Sequence, residues 1–277
     1  MSGPRPTASV VVPTRDRPDR LARCLVALDA QTEPPLEIVV VDDASRDPAA
    51  VDAAVGDRHR VRVVRSTGAG PAAARNLGAA LAKGDVLCFT DDDCRPGPGW
   101  IAALVDRVEA GAVAVAGPTR NGRPDDPWAS ASQLITNHLA DASRDSAAPF
   151  APTSDLAVRA DVFAGLRFDE SFPLAAGEDR EWCDRLAAAG HALEWAPEAW
   201  VEHHQELSAR GFWRQQVRYG RGAAHLRRTG EHRVQRPGFY VGLLRRGLEQ
   251  SPKVAGLVVA AQVATAIGLA KERRASD

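Results

Sequence analysis

The chain has 277 residues, 44% of them hydrophobic and 26% charged, with a formal net charge of -1 at pH 7. It is long enough for one large domain with a substantial core, or a domain plus a small appendage, and its composition is that of a soluble globular protein. Near-neutrality excludes a whole-molecule pull toward nucleic acid or anionic membrane, so electrostatic steering has to be local.

Ser9 to Val12 is a short apolar run stopped by Pro13, a predicted strand. Pro18 suits the first turn of a helix, and Leu21, Cys24, Leu25 and Leu28 follow at helical spacing. Ile38 to Val41 is an unbroken β-branched run, as in a parallel strand covered on both faces. Val61 to Val64 is another strand. A helix runs from Pro71 to Ala82, and Lys83-Gly84 closes it. Val86 to Phe89 reads as the next buried strand. Trp100, Ile101, Leu104, Val105 and Val108 form an amphipathic stripe, and Ala112 to Ala116 is a further strand. This β-α-β-β-α-β-α-β order predicts an α/β fold, an open, mostly parallel, Rossmann-like sheet with helices on both faces. Such sheets bind ligands beyond the carboxyl ends of their strands, where Asp42-Asp43 and Asp91-Asp92-Asp93 fall.

Beyond Arg120 the alternation breaks. Asn121 to Trp128 is a turn-rich loop, a helix extends to about Asp141, and a Ser/Ala/Pro loop reaches Pro152. A strand at Leu156 to Val158, a helix around Glu178 to Ala189 and an extended stretch from Ala192 to Val201 follow. The rest is helical and basic: eleven Lys/Arg between Leu207 and Lys253 face only Glu231 and Glu249. Arg214, Arg218 and Arg221 share a helix face. That face suits an anionic membrane or a lipid-linked diphosphate, and equally a solvated surface. No nucleic-acid-binding module accompanies the charge, so no nucleic-acid partner is expected. Val254 to Ala270 carries no charge and ends at Lys271, Arg273 and Arg274; Gln262, Thr265 and two glycines favour a packed or interfacial helix over a membrane span. The four cysteines (Cys24, Cys88, Cys94, Cys183) lack zinc or CxxC spacing, and the residues before the first strand do not read as a signal peptide. A cytoplasmic protein is expected, peripheral at the inner face of the plasma membrane where its carboxyl-terminal helices make contact.

Three adjacent carboxylates at a strand end repel one another and ionise together unfavourably without a cation. In a loop, alternate carboxylates point to one side and suit Mg²⁺ or Mn²⁺. Alone, Asp91-Asp92-Asp93 reads equally well as a solvated acidic turn. Its company decides the matter. In order stand Val10-Val11-Val12-Pro13-Thr14-Arg15-Asp16, Val39-Val40-Val41-Asp42-Asp43-Ala44-Ser45, Gly70-Pro71-Ala72-Ala73-Ala74-Arg75-Asn76-Leu77-Gly78, Gly84 through Asp93, and Gly177-Glu178-Asp179-Arg180-Glu181-Trp182. From Ser9 to His204 the chain thereby resembles the family 2 glycosyltransferases, which have the GT-A fold.

The resemblance implies a metal-dependent, inverting transferase that moves a sugar from a nucleotide-sugar, UDP- or dTDP-linked, to an acceptor hydroxyl, lipid-linked among the candidates. Pro13, Thr14, Arg15 and Asp42 are expected in the base and ribose pocket, with Asp43 as turn or second contact. Arg75 is expected near the base or diphosphate, whereas Asn76 and Gly78 read as packing residues. Asp93 is the foremost metal ligand, with Asp91 and His203 beside it; His204 is a weaker candidate, and Asp91 and Asp92 also suit the donor ribose or sugar. Asp179, with Glu178 next to it, is the expected catalytic base. Trp182 and Trp195 fit an acceptor pocket or the core, and Thr153-Ser154-Asp155 departs from the Gly-rich acceptor stretch of the family. The expected division is a nucleotide-sugar half (1–118), an acceptor and base half of the same domain (119–206), and a helical extension (207–277). Two other readings are weaker. A phosphatase of the haloacid-dehalogenase type would want Thr or Val where Arg95 stands. A silent GT-A fold, serving as scaffold or nucleotide-sugar sensor, would not need every carboxylate.

Overall fold

A computed structural model describes residues 4–172, 176–229 and 235–274. Glu231 and Arg233 of the basic segment lie outside the described residues, as do the side chains of Arg228, Arg273 and Arg274.

The amino-terminal half alternates β1 (Ala8–Thr14), α1 (Pro18–Asp29), β2 (Glu37–Asp42), α2 (Pro48–Val55), β3 (Val61–Arg65), α3 (Pro71–Leu81) and β4 (Val86–Phe89). Then follow β5 (Cys94–Pro96), α4 (Trp100–Glu109), β6 (Ala114–Ala116), β7 (Thr119–Asn121), α5 (Pro127–Ser143), β8 (Leu156–Arg159), α6 (Ala160–Gly165), α7 (Glu178–Ala188), β9 (Leu193–Trp195) and β10 (Val201–His203). Three helices finish the chain: α8 (Ala209–Thr229), α9 (Pro237–Gln250) and α10 (Pro252–Arg274).

Seven strands form one sheet in the order β3-β2-β1-β4-β8-β6-β9. All run parallel except β8, which is antiparallel to β4 and β6. Successive side chains of a strand face opposite ways, so β1 divides its valines. Val10 and Val12 join Leu21 and Cys24 of α1, Val51 of α2 and Trp100 of α4; Val11 joins Ala72 of α3, Phe163 of α6 and Trp182 of α7. Both faces of the sheet are therefore covered, which is why the strands read as unbroken apolar runs. Gly78 allows α3 its close approach, because a Cβ there would lie 2.5 Å from Val11 Cγ1.

The sequence reading leaves out α2, β5, β7 and α6, and two departures bear on the site and its surroundings. The eight-residue helix α2 carries only two buried side chains, Val51 and Val55, and its strongest marker is a cap: Asp47 accepts the Ala50 N–H at 3.1 Å. The stretch from Ala192 to Val201 is also not one element. Its first part, β9, closes the main sheet, whereas β10 forms a second small sheet between β5 and β7. That small sheet positions the site, because its register sets His203 opposite Cys94, the residue after the acidic run.

The last three helices pack with α5 around Leu134, Phe212, Leu243, Val254 and Val258. Where α8 crosses α10 the backbones nearly touch: a Cβ on Gly220 would lie 2.0 Å from Thr265 O, and one on Gly268 2.1 Å from Val217 O. The helix α10 is long and apolar enough to cross a membrane, with mean hydropathy 1.7 over Pro252–Glu272. Its glycine-lined face is instead packed against protein.

Candidate active site

A cleft of about 1300 Å³ opens beyond the carboxyl ends of β1 and β4. Its sheet-side wall includes Pro13, Thr14, Arg15, Asp43, Arg75, Asp91, Asp92, Asp93, Glu178, Asp179 and His203. Gln133 of α5, Arg214, Arg218 and Tyr219 of α8, Phe239 of α9 and Thr265 of α10 form the opposite side. Of the expected site residues, Asp42 and His204 stand outside this lining.

The acidic run fans out to three sets of partners. Asp91 Oδ1 accepts from Arg75 Nη2 at 2.6 Å. Asp92 is buried and accepts from Thr14 Oγ1 at 2.8 Å and Arg17 Nη1 at 3.1 Å. Burial pushes its carboxyl up to about 6 against the pull of Arg17. Asp93 meets Arg20 Nη1 at 3.3 Å, Arg17 Nη1 at 3.5 Å and His203 Nε2 at 3.2 Å. Burial works to raise the Asp93 carboxyl, but His203 and the two arginines hold it well below the usual carboxylate range.

His203 is oriented from behind. Gln133 Nε2 donates to Asn137 Oδ1 at 2.8 Å, which turns Gln133 Oε1 toward His203 Nδ1 at 3.0 Å. Nδ1 has two amide neighbours, the acceptor Gln133 Oε1 and the donor Gln205 Nε2, each at 3.0 Å, so it is satisfied with or without a hydrogen. Protonated at Nε2, the ring donates to Asp93 Oδ1 at 3.2 Å; with its hydrogen on Nδ1, the Nε2 lone pair faces Asp93 and the two can share a metal ion. Burial lowers the His203 pKa, yet Asp93 outweighs it and the net shift is upward. Ligand atoms of Asp93, Cys94 and His203 all lie within 4.8 Å of one another. The Cys94 thiol is raised well above its usual value, by burial and then by Asp93 and Asp91, and as a soft sulfur donor it does not suit the hard cations Mg²⁺ or Mn²⁺. The oxygen and nitrogen donors of Asp93 and His203 fit Mg²⁺ or Mn²⁺, with further positions filled by water and phosphate. Asp91, expected as a second carboxylate ligand, is outside this cluster because Arg75 draws it to the other side.

Arg75 is placed differently from expectation. It is 4% exposed, and its guanidinium bridges Asp91 and Glu178, the latter at 3.3 Å from Nη1. Opposite charges sealed from water hold one another tightly, so this arginine ties the two acidic motifs together. Asp179 lines the cleft at the start of α7, and its Oδ1 accepts the Arg180 N–H at 2.8 Å. It has no ion-pair partner among the described residues. Burial, and then the charge of Glu178, push its carboxyl up to about 7.

The two aspartates after β2 also exchange places relative to expectation. Asp42 is 1% exposed; its Oδ1 caps the turn by accepting the Ser45 N–H at 3.0 Å, and Oδ2 faces Arg65 Nη1 at 3.4 Å. Asp43 borders the cleft, where it accepts from Ser66 Oγ and from the Gly70 N–H at 3.1 Å. His204 points away from Asp93, its Nε2 lying 3.2 Å from Glu202 Oε2. Trp182 is fully buried and donates to Leu166 O, while Trp195 stacks under Arg144; neither lines the cleft. Thr153 and Ser154 do line it, whereas Asp155 is buried behind, accepting from Trp100 Nε1 at 2.7 Å. Burial pushes the Asp155 carboxyl up to about 8. Asn76 is a packing residue, bonded to Phe168 through both ends of its amide.

Sequence reasoning missed Arg17, Arg20 and Gln133. Arg17 and Arg20 offered a signal, a three-residue spacing at the start of α1 just past the first donor motif. Gln133 offered none, since only tertiary packing brings α5 to the cleft. Arg214 and Arg218 were read as one basic helix face, and the fold turns both into the cleft.

Comparison with known proteins agrees with this architecture. The Glycosyl transferase family 2 model matches residues 9–169. The pre-mycofactocin glycosyltransferase of Mycobacterium tuberculosis is 30% identical over 227 residues, 79% of this chain and 47% of that protein. This chain thus spans about half the length of that relative. Glycosyltransferase AglE of Haloferax volcanii is 27% identical over 231 residues, 80% of this chain and 74% of AglE. Among solved structures, mannosyltransferase PcManGT from Pyrobaculum calidifontis, in complex with GDP-Man and Mn²⁺, has a TM-score of 0.61 at 21% identity, over 96% of this chain and 76% of its own. GalNAc-T7 with UDP, GalNAc and Mn²⁺ has a TM-score of 0.58 at 19% identity, over 94% of this chain and 55% of its own. The fold is GT-A. With the family model covering more than half its length, the chain belongs to glycosyl transferase family 2.

Proposed function

We propose that the chain is a metal-dependent, inverting glycosyltransferase that moves a sugar from a UDP- or dTDP-linked donor to an acceptor hydroxyl. One observation carries the reading: the Asp93–His203 pair, 3.2 Å apart, opens on the same cleft as the carboxylate of Asp179, which has no ion pair among the described residues. The nucleotide lies over the β1 and β2 ends, where Pro13, Thr14, Arg15 and Asp43 border the cleft and Asp42 fixes the turn beneath. Asp93 and His203 hold the divalent cation, which when bound neutralises charge on the diphosphate. Asp91 and Asp92 face the ribose and donor sugar.

Asp179 acts as the general base. It takes the acceptor proton as the acceptor oxygen bonds to the anomeric carbon. The bond from that carbon to the diphosphate oxygen breaks, and its electron pair leaves with the nucleoside diphosphate. A single displacement inverts the centre without a covalent intermediate. Arg75 keeps Glu178 and Asp91 in register, so that base and donor site hold one geometry. In this reading residues 1–118 bind the donor, 119–206 supply base and acceptor contacts, and 207–277 complete the cleft. The four thiols, all free and buried, suit the reducing cytoplasm.

The test is nucleoside diphosphate release by purified protein from UDP-, dTDP- and GDP-sugars with Mn²⁺ or Mg²⁺, since the structural neighbours carry both UDP and GDP. Release from none of them across an acceptor panel rejects the reading. Product configuration by proton NMR checks inversion.

A further inference from the structure

The outer surface of the helical extension is not accounted for by the transfer reaction. Among the described residues, three large apolar side chains stand exposed on the α/β part (Val26, Leu36, Leu81), against eight on α8 to α10. Six of those eight form two stripes. On α9 lie Val241 (68% exposed), Leu244 and Leu248 (57%); on α10 lie Val259 (51%), Val263 (51%) and Ile267, at i, i+4 and i+8. The two helices are consecutive, joined at Ser251, and they pack on each other. Two exposed apolar stripes on neighbouring helices mark an interaction site.

The charges around it say which kind. From Gln235 to Lys271 the sequence holds Arg236, Arg245, Arg246, Lys253 and Lys271 against Glu249. Arg245, 82% exposed and on a helix face with Val241 and Leu248, pairs with Glu249 at 3.1 Å, and Arg246 pairs with Asp141 at 2.7 Å. Arg236, Lys253 and Lys271 have no ion pair among the described residues, so the excess is positive. Lys271 sits one turn beyond Ile267. A second copy docked symmetrically on these stripes would set like charges against like. A layer of anionic headgroups would neutralise them while the valines and leucines enter the acyl boundary. A crossing helix is disfavoured, because the opposite face of α10 is locked to α8 at Gly220 and Gly268.

We propose that the outer face of α9 and α10 docks the protein flat on an anionic lipid bilayer. The same helix α10 lends Gln262, Thr265 and Leu269 to the cleft.

Co-sedimentation with vesicles tests the docking without donor or catalysis. The full chain should pellet with vesicles of phosphatidylcholine mixed with phosphatidylglycerol and stay soluble with phosphatidylcholine alone, and added salt should release it. Val259→Asp/Val263→Asp should lower partitioning about tenfold or more, and Arg245→Glu/Lys253→Glu should weaken it and flatten its salt dependence. Thermal stabilisation by donor with Mn²⁺, measured without vesicles, should match wild type in both variants, which keeps loss of folding and failure of the transferase reading apart from failure of docking. No binding to the anionic vesicles, or binding untouched by the aspartates, overturns the proposal. So does a dimer by light scattering that the same aspartates dissociate, since a second copy would then be the occupant.

Discussion

On the sheet side of the cleft the carboxylates come with cations already in place: Asp43 near Arg15, Asp91 with Arg75, Asp92 with Arg17, Asp93 with Arg20 and His203. On the helical side the imbalance is reversed. Arg214 and Arg218 line the cleft with no ion-pair partner among the described residues, and the Arg218 Nε is buried without an acceptor. Most sheet-side carboxylates thus carry their own counter-charges, while Arg214 and Arg218 bring positive charge to the cleft without one among the described residues. Asp179 belongs to neither arrangement. Among the described residues it has no ion-pair partner, and burial and the charge of Glu178 raise its pKa against the weaker pull of Arg75. The comparison sets four carboxylates held by cations against one with a raised pKa and no ion pair among the described residues, the pattern of the proposed base.

The largest effect is expected from testing that exception. Asp179→Asn should cut kcat by about 10²–10⁴-fold, the usual worth of a positioned base, and leave donor affinity unchanged. The wild-type rate should fall as pH drops through about 7, because a carboxyl with its pKa there is protonated below it and cannot accept the proton. Asp179→Asn should abolish that limb of the profile. A variant with the same pH dependence as wild type would assign the titration to another group.

Asp93→Ala comes next. It leaves His203 without its carboxylate and exposes Arg17 and Arg20 to each other. We expect about 10²–10³-fold lower turnover, the scale for losing one electrostatic stabiliser of the transition state, and loss of detectable Mn²⁺ binding by calorimetry. Retained metal affinity would mean that the cation sits on another carboxylate, Asp91 foremost.

On the helical side, Arg218→Ala should raise the KM of an anionic substrate by about 10–100-fold, equivalent to a charged hydrogen bond of about 1.5–3 kcal/mol. The kcat at saturation should hold. If Arg218 serves only to pack against Tyr219, whose ring centroid is 5.9 Å away, the melting temperature falls and KM stays.

How far these features were legible differs between the same two regions. The sheet strands and the helices α1, α3 and α4 follow from local pattern, because burial on both faces demands unbroken apolar runs and amphipathic stripes. Asp93, Asp179 and His203 were readable as candidates since each ends or opens an element at the ligand edge. What local pattern does not encode is which neighbour a side chain meets. Asp42 and Asp43 are adjacent and chemically alike, and the register with Arg65 on β3, together with the Ser45 turn, sets which one is buried. Arg75 looked like a phosphate ligand because its partners Asp91 and Glu178 are 16 and 103 residues away. The small β5-β10-β7 sheet, which brings His203 to Asp93, rests on three-residue strands too short to carry a pattern.

The smallest expected effect asks whether the two sides are mechanically separate. Gly268→Leu adds side-chain atoms where even a Cβ would lie 2.1 Å from Val217 O, so α10 must shift away from α8. Overpacking of this sort costs about 1–3 kcal/mol, read as a lower melting temperature of about 2–4 °C per kcal/mol for a domain of this size class. Thr265 and Leu269 of α10 line the cleft, so acceptor KM should rise modestly with the shift. Asp93 and His203 are held instead by β5, β10 and the Gln133–Asn137 pair, and Mn²⁺ affinity should stay at the wild-type value. Two helices that pack on α10 also reach the metal site: α5 through Gln133 and Asn137, and α8 through Gln215, which donates to Gln205 Oε1 at 3.4 Å while Gln205 Nε2 lies 3.0 Å from His203 Nδ1. A parallel drop in Mn²⁺ affinity would trace the strain through these amides, and would make the two walls of the cleft one cooperative unit.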